Sequence, residues 1–355
     1  MASQPELMDR RPADAAKERR LAELRHEAET TGHVTASGVT ALGGPMPQQQ
    51  ALPAANSNEA YYGLPLLKPP TWIWTIPVYF FIGGAAGAAA IIAAVARWTR
   101  RDPALARDAR RIALIGGAIS PVLLIADLGR PARFINMLRV FKRQSPMSMG
   151  AWLLVAFNGA TMAGETLRVI GRSTDRRLLK GAAAVGSDAA DAAGAVLGSG
   201  LATYTGVLIG VTAVPVWARN VRTLPFHFGM SGFATAACLL ELAHDDPALH
   251  RIGWLTAGGE TLVGLRLESD RARAQLPLRH GSTGRMIRLG GFLSGPAALA
   301  IRAIAGRRRY GRRLAALVSV AGALITRFAW VDAGQQSASD PSVPLALPPV
   351  RGKRL

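Results

Sequence analysis

IALIGGAISPVLLIADLGRPARFINML, residues 112–138, runs apolar from Ile112 to Leu123 and then closes on one carboxylate, a glycine, a proline and two arginines. In lipid every backbone N–H and C=O must be satisfied within the segment, and this run lacks strand alternation, so it reads as a membrane helix reaching a surface. Gly129 lets the chain turn after the Asp127 carboxylate, and Pro131 suits the first turn of a following helix. Asp127 and Arg130 are three residues apart, so on a persisting helix they share a face and pair. Arg133 and Asn136 repeat that spacing on a short interfacial helix ending near Met137 and Leu138. The stretch builds a polar shelf at one membrane surface.

Comparable apolar runs recur on both sides of it, each long enough to cross a hydrocarbon core of roughly 30 Å. They are Trp72–Trp98, Ile112–Leu128, Met149–Val169, Ala192–Ala218, Leu224–Ala243, Ile252–Leu267, Met286–Ala305 and Leu314–Val331. The sixth is short and interrupted by Glu260. The expected fold class is all-α, a polytopic membrane helical bundle of about eight spans. Residues 1–60 read as a charged segment followed by disordered linker, 61–333 as the membrane domain, and 334–355 as a tail. Gly83, Gly84 and Gly87 in the first span offer small faces for close helix contact.

The net charge of +19 sits largely in connections such as RWTRRDPALARDARR (97–111) and GRRRYGRR (306–313). Cations between apolar spans meet anionic lipid headgroups rather than nucleic acid. They occur in connections on both faces, so the positive-inside rule sets no orientation.

One cysteine, Cys238, lies in an apolar segment, which excludes a four-thiolate iron–sulfur cluster in this chain. His227 and His244 stand near opposite ends of one span, about 25 Å apart at helical rise, too far to ligate one haem. No haem and no other metal site is expected here.

Ionisable groups within the apolar spans each cost several kcal/mol unless paired or hydrated. Asp127 closes the second span, Glu165 and Glu241 lie late in the third and fifth, and Glu260 falls in the middle of the sixth. His227 begins the fifth span, while Arg327 and Asp332 come at the end of the eighth. Glu165, Glu241, Arg327 and Asp332 are near enough to helix ends to reach water by extension. Glu260 has no such route, which makes it a proton relay or half of a buried pair.

Four stretches, in order, resemble the NrfD/PsrC family of respiratory membrane subunits: YYGLPLLKPPTWIWTIPVYFFIGGAAG (61–87), DLGRPARFINML (127–138), SPMSMGAW (145–152) and YTGVLIGVTAVPVW (204–217). The family includes membrane subunits of polysulfide, nitrite and formate dehydrogenase-type oxidoreductases. The resemblance implies a haem-free protein of two four-helix bundles in the inner (cytoplasmic) membrane. Such a protein exchanges electrons between quinone (menaquinone or ubiquinone) and an iron–sulfur cluster subunit, commonly coupled to a molybdopterin-type catalytic subunit. It implies a quinone ring in the first bundle, with Asp127, Arg130 and Tyr204 as matching contacts. The family's polar contact from the first helix has no clear counterpart; Trp72, Thr75 and Tyr79 stand around that position. Asp127, Glu165, Glu241 and Glu260 are the candidate proton path. The rival readings are a membrane anchor without redox chemistry and a proton-coupled transporter, the latter lacking paired broken helices in its two halves.

Overall fold

The computed structural model describes residues 67–100 and 102–340. The charged segment and linker assigned to 1–60, Tyr61 and Tyr62, and the end of the tail from 341 lie outside these. The described residues form α1 (Thr75–Trp98), α2 (Pro103–Leu128), α3 (Pro131–Arg139), α4 (Pro146–Ser173), α5 (Arg177–Gly210), α6 (Pro215–Arg219), α7 (Thr223–Glu241) and α8 (Pro247–Ser269). A short α9 (Leu276–Arg279), α10 (Gly281–Ala305) and α11 (Arg309–Ser339) complete them. Six helices, α1, α2, α5, α7, α10 and α11, are long and apolar enough to cross a membrane. α4 and α8 match them in length at 28 and 23 residues but carry more polar side chains, among them Glu165, Arg168, Glu260 and Arg266. The fold is an all-α polytopic membrane bundle.

The helix starts follow a local rule. Pro103, Pro131, Pro146, Pro215 and Pro247 each occupy the first turn, where a missing N–H costs nothing. Asp102, Ser145 and Asp246 precede three of them and cap a free N–H two or three residues on, at 2.8, 3.4 and 2.6 Å. Several helices therefore begin earlier than their apolar runs. α2 starts at Pro103, so Arg107 to Arg111 are helical rather than loop. α5 starts at Arg177 and ends at Gly210, and the run expected to continue to Ala218 breaks before Pro215 into the short α6.

α1 is the hub, packing on α2, α5, α7 and α11. Its glycines make this possible: a Cβ on Gly87 would overlap the Gly198 carbonyl of α5, and one on Gly232 of α7 would come to 2.8 Å from the Gly84 carbonyl. Backbone meets backbone at both crossings, the close approach that small residues allow in membranes. α1, α2, α4 and α5 form one packed group and α7, α8, α10 and α11 another, joined through α1 with α7 and α11 and through α5 with α7.

Long-range contacts define two ends of the bundle. Ile73 with Asp127, Gln335 with the Pro70 and Trp72 carbonyls, Trp217 with Trp330, and Arg219 with Asp270 gather at one end. Arg97 with Asp188, His244 with Asp108, and Arg302 with Glu241 gather at the other. α11 runs past residue 333 to Ser339, with Gly334 tight against Trp217 and Ser337 accepting the Val216 N–H at 3.2 Å, so the residues from 334 to 339 pack in the bundle.

Candidate functional site

The polar shelf that closes α2 is built as its residues require, except for one pair. α2 stops at Leu128 and Gly129 takes φ +69, a left-handed turn without Cβ strain. Arg130 then follows in extended conformation, φ −128, at the start of α3. Because the helix is broken at Gly129, Asp127 and Arg130 do not share a helical face. Asp127 Oδ1 instead accepts the Ile73 N–H at 3.1 Å, tying the end of α2 to the start of α1. Arg130 is exposed and does not line the crevice beside Asp127.

That crevice runs between α1, α2, α4 and α5. Asp127 and Tyr204 both line it, with Trp72 and Tyr79 from the first span and Met137 and Met147 at its edge. The Tyr204 hydroxyl donates to the Pro146 carbonyl at the start of α4. Its ring lies over Gly150, where any Cβ would overlap the phenol. Trp72 stacks on Trp217 at 5.4 Å between centroids and meets Phe80 edge-on at 6.0 Å, closing the inner wall. The crevice has a volume of about 40 Å³, room for water but not for a ring. Met137 and Met147 border it, and their unbranched thioether chains adjust readily.

Gly150, Pro146 and the two methionines do not stand out in the sequence as site residues. The signal is nevertheless there, since Met147 and Gly150 stand three apart on one face of α4 within SPMSMGAW. Thr75 and Tyr79 are buried on the first span, and Tyr79 rather than Thr75 reaches the crevice.

The other carboxylates occupy separate environments. Glu165 lies 3.0 Å from Arg168, which also holds Asp191 at 3.0 Å, and its side chain remains 38% exposed. Glu241 is buried, held by both terminal nitrogens of Arg302 at 2.9 and 2.7 Å and by His250 Nδ1 at 2.5 Å. It does not extend to water because Arg302 of α10 reaches inward to meet it. Glu260 is 1% exposed, with His227 Nδ1 at 3.1 Å and Ser294 Oγ at 3.4 Å from Oε2. Ser294 comes from a π turn, Leu293–Ala297, that absorbs Pro296 within α10.

Arg327 likewise does not extend to the surface. Because α11 continues to Ser339, Arg327 lies well inside it, 1% exposed, donating to the Phe228 carbonyl at 2.9 Å with its guanidinium 3.7 Å from the Phe228 ring centre. Glu260 Oε1, His227 Nε2, and Arg327 Nε and Nη1 find no hydrogen-bond partner among the described residues. A cavity of about 190 Å³, walled by Glu260, Thr261, Pro296 and Phe292, leads outward past Glu268 and Arg288, which pair at 3.0 Å. Asp332 accepts from Thr283 and, at 3.1 Å, from Gln336. Outside the spans, Asp270 is clamped by Arg219 at 3.0 and 3.3 Å, and this hydrogen bonding holds its carboxyl down to about 2 despite partial desolvation.

The sequence pattern of the family described as "Polysulphide reductase, NrfD" matches residues 66–245, from the approach to α1 through α7, and so includes every crevice residue named above. The C subunit of the polysulfide reductase of Wolinella succinogenes is 29% identical over 107 residues, 28% of this chain and 33% of that protein. The aligned stretch thus spans about a third of that relative's length. With half its residues inside the family pattern, the chain belongs to the polysulphide reductase NrfD family.

Proposed function

We propose that this chain is the quinone-interacting membrane subunit of a respiratory oxidoreductase complex in the inner (cytoplasmic) membrane, with α4 and α8 crossing as well. The observation that carries the reading is the shared crevice of Asp127 and Tyr204 at one end of the bundle. A quinone carbonyl accepts the Tyr204 hydroxyl in place of the Pro146 carbonyl, so the phenol exchanges one acceptor for another and is never left unsatisfied. Asp127, half-buried at the membrane surface, passes a proton to the ring as it is reduced or takes one as quinol is oxidised. Insertion of the ring displaces Met137 and Met147, since the closed crevice is too small for it.

Electrons come from outside the chain. An iron–sulfur cluster subunit docked at the Asp127 end exchanges them with the ring, and a molybdopterin-type catalytic subunit carries the substrate chemistry. Quinone, menaquinone or ubiquinone, is the only redox group this chain is proposed to hold.

Proton translocation has a separate basis in Glu260, His227 and Arg327. Buried polar atoms lacking protein partners are the places where internal water sits and protons move. Glu241, at the opposite end, is locked to Arg302, and Glu165 to Arg168, so neither is a free relay. The path this arrangement supports begins at the cavity beside Glu268 and reaches Glu260.

Tyr204→Phe in the purified complex tests the reading. Quinol turnover falls while the subunits stay associated; unchanged turnover removes Tyr204 from the site, and loss of association points to an anchoring role.

A further inference from the structure

At the end of the bundle opposite the crevice, α1, α2, α4 and α5 surround a cavity of about 460 Å³. Arg97, Arg100, Arg110, Arg168, Arg172 and Lys180 line it, and among the described residues no carboxylate does. Carboxylates outside the lining, among them Glu165 at 3.0 Å from Arg168, pair with three of the six. Asp188 holds Arg97 at 3.0 Å, and Asp191 holds Arg168 at 3.0 Å and faces Arg110 at 3.7 Å. Arg110 Nη1 is buried and has no hydrogen-bond partner among the described residues. Among the described residues no carboxylate comes within ion-pairing distance of Arg100, Arg172 or Lys180. Arg100 also holds φ +50, a backbone cost borne at the rim. The cavity is thus a cationic recess with three charges that no described carboxylate compensates.

Its surroundings say what kind of anion fits. Leu167, Ala106 and Ala183 give the recess an apolar floor. Val169, Ile170, Leu179 and Val185, beside it on α4 and α5, are 51%, 45%, 48% and 73% exposed. Cations at helix ends over apolar outer faces match a phosphate at headgroup depth with its acyl chains against the helices. We propose that this recess binds the headgroup of an anionic phospholipid, with Arg100, Arg172 and Lys180 on the phosphate and Arg110 and Arg168 beneath it. The site is independent of the quinone reading and lies away from the Asp127 crevice.

The full-length protein, delipidated in neutral detergent, is titrated with phosphatidylglycerol, phosphatidylcholine or inorganic phosphate while its thermal unfolding is followed. The wild type is expected to gain stability with phosphatidylglycerol alone. The variant Arg100→Gln/Arg172→Gln/Lys180→Gln needs about ten-fold more of it, a loss of roughly 1.4 kcal/mol. The variant Arg307→Gln/Arg308→Gln/Arg309→Gln, with the same change in charge at another connection, responds as the wild type does. The three recess residues are exposed, so their replacement spares the fold, and Lys180→Gln alone gives the same readout in smaller measure. Equal responses from the two triple variants overturn the site. A full effect from inorganic phosphate or phosphatidylcholine overturns the assignment to an anionic lipid.

Discussion

The Tyr204 ring lies directly over Gly150, and its hydroxyl meets the Pro146 carbonyl four residues earlier in the same helix. The phenol is therefore positioned by the absence of a side chain on α4 and by a carbonyl in that helix's first turn.

Gly150→Ala follows from this directly. A methyl at that position overlaps the phenol and forces Tyr204 out of the crevice. Quinol turnover of the complex is expected to fall by about ten-fold or more, equivalent to at least roughly 1.4 kcal/mol of lost transition-state stabilisation. Subunit association, read by co-purification, is unaffected.

In the proposed function Asp127 has two duties, which two substitutions separate. Asp127→Asn keeps an acceptor for the Ile73 N–H and is expected to melt near the wild type while turning over quinol slowly. Asp127→Leu removes the acceptor as well and loses a further ~1 kcal/mol of stability. Thermal unfolding and turnover, measured together, distinguish them. A fully active Asp127→Asn removes the carboxylate from proton delivery.

The Glu241–Arg302 pair is buried on both sides. Removing one partner leaves an uncompensated charge, so Glu241→Leu is expected to cost about 3–5 kcal/mol. Adding Arg302→Met restores much of that loss, because the second charge leaves too. Unfolding midpoints of the two singles and the double give the coupling energy, and additive losses would show that the pair is not coupled.

Asp270 sets an acid limit at the Asp127 end. Its folded-state carboxyl is depressed to about 2 by Arg219, below the ordinary value of roughly 3.9. The unfolded chain therefore binds the proton first as pH falls. The stabilisation is fully present above about pH 4 and disappears as pH drops through about 2. Asp270→Asn should melt below the wild type at neutral pH and converge with it near pH 2. Both side chains are partly exposed, so the difference is small and diminishes with added salt.

Much of this architecture is legible in the sequence because lipid imposes one rule on every span. Apolar runs mark α1 and α7 closely, and Gly83, Gly84 and Gly87 give the packing face of α1. The starts of α2 and α5 are hidden because charged residues fall within their first turns and beyond, among them Arg107, Arg110 and Arg111 in α2 and Lys180 and Asp191 in α5, where Arg110 and Asp191 pack with Arg168. Hydropathy marks where a helix meets lipid, not where it begins. Arg327 reads as lying near a helix end because the run of apolar residues stops at Val331, whereas α11 continues to Ser339 through Gly334, Ser337 and Ala338.

The site is legible in part for a similar reason. Asp127 stands out as a polar group at the end of an apolar run, whereas Tyr204, in the middle of its run, is named only through the family resemblance. The Asp127–Arg130 pairing fails because it assumes a continuous helix across Gly129, where a left-handed turn intervenes. Gly150 carries no polarity at all, and its importance exists only once α5 lies against α4.

A photoreactive quinone cross-linked to the native complex tests the central claim most directly. The account predicts that label attaches to peptides containing residues 124–151 and 204–208 of this chain, and that Tyr204→Phe and Gly150→Ala reduce it. Label confined to other helices or to a partner subunit, at equal yield in both variants, would contradict it.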